Sequence, residues 1–196
     1  MLAHDFMLNR LLNIIYMIET FLVLVLWRRR WQKGNRFYGI PHFSGSKKIS
    51  YGDDFICVSR TGKNSLGVIQ RTRITVFPTS SGVFFGDKCG VSGVAISSRA
   101  KIVIGNSVLI GSGAMILDND AHGILPHERE IECCVKKAPI IIEDDVFIGA
   151  RAIILKGVTI GRGAIIGAGS VVVGNIPAWS IAVGNPARVV KEIKVH

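Results

Sequence analysis

The chain lacks most of the patterns that assign a function at once. Its four cysteines, Cys57, Cys89, Cys133 and Cys134, form no CxxC pair, and two vicinal cysteines do not serve one tetrahedral zinc at the usual ligand spacing. Reduced thiols in a cytosol and no metal are the expectation. Acidic residues are scarce, 14 against 24 Lys and Arg, a balance that would suit nucleic acid if it were spread over the chain. It is not spread. Arg28, Arg29, Arg30, Lys33, Arg36, Lys47 and Lys48 fall in one stretch, residues 28 to 52, that holds no acidic residue. The rest is nearly balanced and no base-reading motif is present, so nucleic acid is not the expected partner. There is no Gly/Ser-rich tract either, and 48% hydrophobic residues exclude a disordered chain.

A long uninterrupted apolar run is also missing. Residues 11 to 27, LLNIIYMIETFLVLVLW, are broken by Asn13 and Glu19, and a helix of that length spans roughly 25 Å against a hydrocarbon core of about 30 Å. No small-residue cleavage site follows; WRRRW follows, with residues suited to lipid headgroups. The expectation is a membrane-associated helix lying in the interface, with a single crossing or packing against the protein itself as alternatives. Both membrane readings leave everything after Arg30 cytoplasmic, and the in-plane one attaches the chain peripherally to the inner face of the cell membrane.

What the chain does have is a period of six. Aliphatic residues stand at Ile142, Ile148, Ile154, Ile160, Ile166 and Val172 without a slip, and upstream at Ile104, Ile110 and Ile116. Phe85 and Val91 carry the phase less cleanly, with one extra residue before Ile104. A helix wants apolar residues three and four apart and a lone strand wants alternation, whereas six fits short strands joined by turns around a solenoid. The aliphatic residue faces inward, and the glycine behind it is expected to permit the turn. The phase vanishes after His122 through HGILPHEREIECCVKKAP and resumes at Ile142, which reads as a loop leaving the solenoid.

These residues resemble the hexapeptide-repeat acyltransferases over about residues 70 to 193. DNDAH (118–122), FIGARAIILKGVTIG (147–161) and GNPARVVK (184–191) are similar to the sugar and xenobiotic branch, close to the maltose, galactoside and polysaccharide O-acetyltransferases. The resemblance implies an all-β fold: a left-handed parallel β-helix with an N-terminal hydrophobic helix and an extruded loop after His122. The implied divisions are residues 1–33 as anchor and basic flank, 34–69 as a connecting segment, and 70–193 as the β-helix domain.

The resemblance also implies a chemistry: acetyl transfer from acetyl-CoA to a sugar hydroxyl of a cell-surface polysaccharide or its lipid-linked precursor, in a homotrimer with sites between subunits. His122 matches the family's general base, the one histidine inside a recognised motif. Transfer from a thioester to a hydroxyl needs such a base near neutral pKa, donors for the oxyanion and alignment of two substrates. Asp118 and Asp120 are candidates to orient the ring or hold sugar hydroxyls, or else simply turn the chain with Asn119. Ser92 stands where the maltose and galactoside enzymes have an asparagine. Ala150, Ala168, Val173 and Gly174 match positions that hold the pantetheine arm through backbone groups. Arg188 and Lys191 match basic positions near the nucleotide phosphates, although Gly184 to Ala187 read equally as a closing turn. Amino-sugar N-acetylation, a small xenobiotic acceptor and a non-catalytic membrane scaffold are the alternatives. His122 and His127 share the H-x4-H spacing of gamma-class carbonic anhydrases, but no third histidine lies in the repeat.

Overall fold

The computed structural model of the chain describes residues 14–23, 25 and 33–194. Short strands stack into three parallel sheets. One contains β1 (Arg36–Tyr38), β4 (Ile56–Val58), β7 (Gly90–Ser92), β10 (Leu109–Ile110), β13 (Phe147–Ile148) and β16 (Ile165–Ile166). The second contains β2 (His42–Ser44), β5 (Arg73–Val76), β8 (Ala95–Ser98), β11 (Met115–Leu117), β14 (Ile153–Leu155) and β17 (Val171–Val172). The third contains β3 (Ile49–Ser50), β6 (Val83–Phe85), β9 (Ile102–Ile104), β12 (Ile140–Ile142) and β15 (Thr159–Ile160). The chain visits the three in strict rotation, so every coil adds one strand to each sheet.

The register explains the period. Ile142 lies beside Ile160, Ile148 beside Ile166, and Ile154 beside Val172, so the aliphatic residues of successive coils form continuous buried columns. Residues two positions earlier, Val108, Ala114, Val146, Ala152, Val158 and Ala164, are buried as well, and fill the corners where two sheets converge. The glycine behind the aliphatic residue has a different reason from the one expected. At Gly149 a Cβ would lie 2.5 Å from Ala168 N, and at Gly111 it would lie 2.6 Å from Ala150 N. It is the approach of the next coil's backbone that excludes a side chain there, whereas the left-handed residues come later in the turn, at Gly113, Arg151 and Gly169.

Two boundaries move. The solenoid begins at Arg36, not at residue 70: β1 pairs with β4 and β2 with β5 in the same sheets as the later coils. Residues 34–69 are therefore mostly first coil, with an excursion between β4 and β5. The helical residues 14–23 are not an independent anchor either. Val23 belongs to the hydrophobic core, Thr20 Oγ1 accepts from Phe37 N at 3.1 Å, and Glu19 Oε2 accepts from Gly39 N at 2.9 Å. Cutting after residue 33 would strip the end of the solenoid. The rest of the predicted anchor, residues 1–13, 24 and 26–32, lies outside the described residues. At the far end, β18 (Ser180–Gly184) joins the first sheet and β19 (Ala187–Glu192) folds back antiparallel to it through a cis Asn185–Pro186 bond.

Candidate active site

The loop after β11 has a closed neck. Asp120 N donates to Lys136 O at 3.0 Å and Ala138 N to Asp118 O at 3.0 Å, so the outgoing and returning strands pair across residues 118–120 and 136–138. Ala121 adopts a left-handed backbone, φ 64°, and its N–H bonds Asn119 Oδ1 at 3.0 Å. This turn puts His122 on the surface at the mouth of the loop. The His122 ring is fixed by the loop it opens: Nδ1 lies 3.0 Å from the Arg129 carbonyl oxygen. A carbonyl only accepts, so Nδ1 carries the proton and Nε2 is left as the lone-pair acceptor.

The two aspartates do other work. Asp118 is fully buried and accepts from Ser98 Oγ at 2.7 Å, Arg99 N at 2.7 Å, Ala100 N at 3.0 Å and Asn119 Nδ2 at 3.0 Å. It ties the loop mouth to the preceding coil. Asp120 pairs with Lys156, which directly follows β14, the strand in register beside β11. The backbone carbonyl of Arg129, and not either carboxylate, orients the histidine. A second tie holds the loop body: the Arg99 guanidinium stacks on Phe77, 3.8 Å to the ring centroid, and bonds Glu132. Sequence reasoning missed Arg99, Arg129, Glu132 and Lys156. Only Lys156 had a signal, because the repeat phase carried across the loop aligns it with Asp118.

The remaining predicted residues divide between two corners. Val173 and Gly174 follow β17 and share the edge of the second sheet with Asp118, Asp120 and His122. Ser92 ends β7, Ala150 and Ala168 follow β13 and β16, and Arg188 sits opposite Val183 in the closing hairpin, all at the other edge. The width of the sheet, roughly 15 Å at 3.3 Å per residue, separates the groups. Lys191 lies opposite Ile181, a strand's length from Arg188's end. Ala168, Val173, Gly174, Arg188 and Lys191 are exposed, and Arg188 Nη1 donates to the Ala187 carbonyl at 3.0 Å. Surface hollows of about 370 Å³ beside Lys47 and Phe77 and about 310 Å³ beside Asp144 and Arg162 contain none of these residues.

The thiols offer no nucleophile in the solenoid. Burial pushes the Cys57 and Cys89 thiols up to about 11, against the weaker opposing bonds from Thr72 and Ser59 to Cys57. Cys134, beside Cys133 on the loop, is also raised, by desolvation and then by its neighbour.

Three parallel sheets of short strands, a six-residue step from each sheet to the next and an extruded loop opened by His122 make a parallel β-helix, left-handed as in the hexapeptide-repeat acetyltransferases it superposes on. Residues 139–173 match the hexapeptide repeat of succinyl-transferase. A maltose O-acetyltransferase from Clostridium difficile 630 superposes with a TM-score of 0.53 at 27% identity, over 82% of this chain and 67% of that one. The 2,3,4,5-tetrahydropyridine-2,6-dicarboxylate N-acetyltransferase of Staphylococcus aureus JH9 is 40% identical over 88 residues, 45% of this chain and 32% of the relative. The protein of the same name from Clostridium perfringens SM101 is 54% identical over 57 residues, 29% of this chain and 24% of the relative. The chain thus spans a quarter to a third of the curated relatives it matches.

Proposed function

We propose that the protein is an acetyl-CoA-dependent acetyltransferase in which His122 Nε2 takes the proton from an acceptor hydroxyl. The single observation that carries this reading is the Nδ1 contact to the Arg129 carbonyl, which leaves Nε2 as the ring's lone-pair acceptor. The alkoxide oxygen forms a bond to the thioester carbonyl carbon, the carbon–sulfur bond breaks, and the imidazolium returns its proton to the departing thiolate. The acceptor in this reading is a sugar hydroxyl of a polysaccharide or lipid-linked glycan. Hydroxyls need such a base, whereas a neutral amine attacks with its own lone pair.

Ala150, Ala168 and Arg188 would receive the donor at one corner while His122 works at another, so a groove holding both requires a second copy of the chain. A homotrimer meets that need, with the 3′-phosphate of the donor at Arg188. Transfer to nitrogen is the second reading, favoured by the names of the N-acetyltransferases that share residues with this chain. The test is thiol release from acetyl-CoA by purified protein with hydroxyl-only glycans and with amino sugars. Turnover on the glycans supports the first reading, turnover confined to amines supports the second, and no thiol release with any acceptor overturns both.

A further inference from the structure

The helix at residues 14–23 is amphipathic in an unexpected sense, because its polar side chains are inside. Glu19 and Thr20 are buried with Tyr16 and Val23, on the face that meets the first coil. Glu19 bonds Gly39 N and pairs with Arg60, Thr20 caps Phe37 N, and Tyr16 stacks edge-on against Tyr38 at 4.6 Å. At 100° per residue these four positions fill one arc of the helix. Ile14, Met17, Ile18, Phe21, Leu22 and Val25 fill the opposite arc, and all are exposed, Met17 by 68% and Phe21 by 60%. A soluble helix with a free face normally presents charge there. This one presents six large hydrophobic side chains in a row, far more than scattered surface exposure accounts for.

Charge identifies what covers that face. Glu19, the one acidic residue between Phe6 and Gly52, is turned inward and neutralised by Arg60. Around it the sequence supplies Arg28, Arg29, Arg30, Lys33, Arg36, Lys47 and Lys48 with Trp27 and Trp31, and Lys33, Arg36, Lys47 and Lys48 are exposed on the first coil and its approach. Apolar residues flanked by cations and tryptophans match an anionic lipid surface. No described helix is long and apolar enough to cross a bilayer, and the polar side of this one is held along the first coil through Phe37, Gly39 and Tyr38, which suits a helix lying in the membrane plane. We propose that residues 14–23, with Val25, are an in-plane docking surface for an anionic bilayer, clamped by their polar side to the first coil. The clamp makes the anchor part of the folded solenoid, so the sheets stand at a set attitude to the membrane instead of swinging on a linker. This holds whether or not the chemistry at His122 is acyl transfer.

The experiment uses the full chain, sedimented with vesicles of phosphatidylcholine alone and of phosphatidylcholine mixed with phosphatidylglycerol. Binding should be strong to the mixed vesicles, weaker to the neutral ones, and reduced by salt. Met17→Asp and Phe21→Asp should each lower the vesicle-bound to free ratio roughly tenfold or more, with the circular dichroism melt unchanged because both side chains face outward. Wild-type binding to mixed vesicles by either variant overturns the proposal, as does equal binding of the wild type to neutral and anionic vesicles. A change in the molar mass of Phe21→Asp by light scattering would show instead that a second copy covers the face, and would also overturn it.

Discussion

Replacing Asp118 by Ala removes a buried carboxylate on which four donors converge: Ser98 Oγ, Arg99 N, Ala100 N and Asn119 Nδ2. Each bond to a charged acceptor contributes about 1.5–3 kcal/mol, and the lost desolvation penalty of the carboxylate offsets part of the sum, so the net cost should be about 3–5 kcal/mol. For a chain of this size that corresponds to roughly 6–20 °C of melting temperature. Asp118→Asn keeps the shape and one acceptor oxygen but turns an amide toward donors, and should fall between Ala and wild type. Melting followed by circular dichroism, with activity measured well below the lowest transition, separates stability from catalysis. The reasoning is refuted if Asp118→Ala melts within about 2 °C of wild type, or if it destroys turnover while leaving the melt alone. The second outcome would return Asp118 to the substrate, the role first considered for it.

Arg99→Ala should free the loop body from Phe77 and Glu132. Limited proteolysis within residues 123–135 should then quicken several-fold and kcat should fall, because the Arg129 carbonyl that orients His122 moves with that loop. Arg188→Glu should raise the KM for acetyl-CoA by roughly one to two orders of magnitude and leave the KM for the acceptor unchanged, with the effect absent for dephospho-CoA as ligand. A disulfide reagent at pH 8 should modify no more than Cys133 and Cys134 in the folded protein, since Cys57 and Cys89 are buried and stay protonated to about 11. All four thiols should react once the chain is unfolded.

The coils that announce themselves in the sequence are those whose inward residues are Ile or Val, from Ile104 to Val172. The first coil uses the same spacing with other side chains: Phe37, Phe43 and Ile49 stand six apart and all are buried. Its interior is filled by rings, Tyr51 stacked on Phe55 at 4.9 Å and Phe85 tilted against Phe55 at 5.1 Å, so a search for aliphatic residue plus glycine passes over it. The excursion after β4 then breaks the phase before the recognisable coils begin. At the site, the position of His122 was legible because the phase stops there, and its ring orientation was not, because a backbone carbonyl seven residues on supplies it. Sequence proximity suggested that Asp118 and Asp120 serve the histidine; folding turns one into the coil and the other toward Lys156. The inward-facing Glu19 looked like an interruption of a membrane helix and is the residue that fastens it to the protein.

The central claim is that His122 is the base of an acetyl transfer, and the most direct measurement is kcat for acetyl-CoA thiol release by wild type and His122→Ala with a saturating acceptor. His122 is exposed and its ring makes one bond to a loop carbonyl, so the melt should be unchanged while kcat falls by about two to four orders of magnitude. Turnover of the variant within tenfold of wild type would contradict the account.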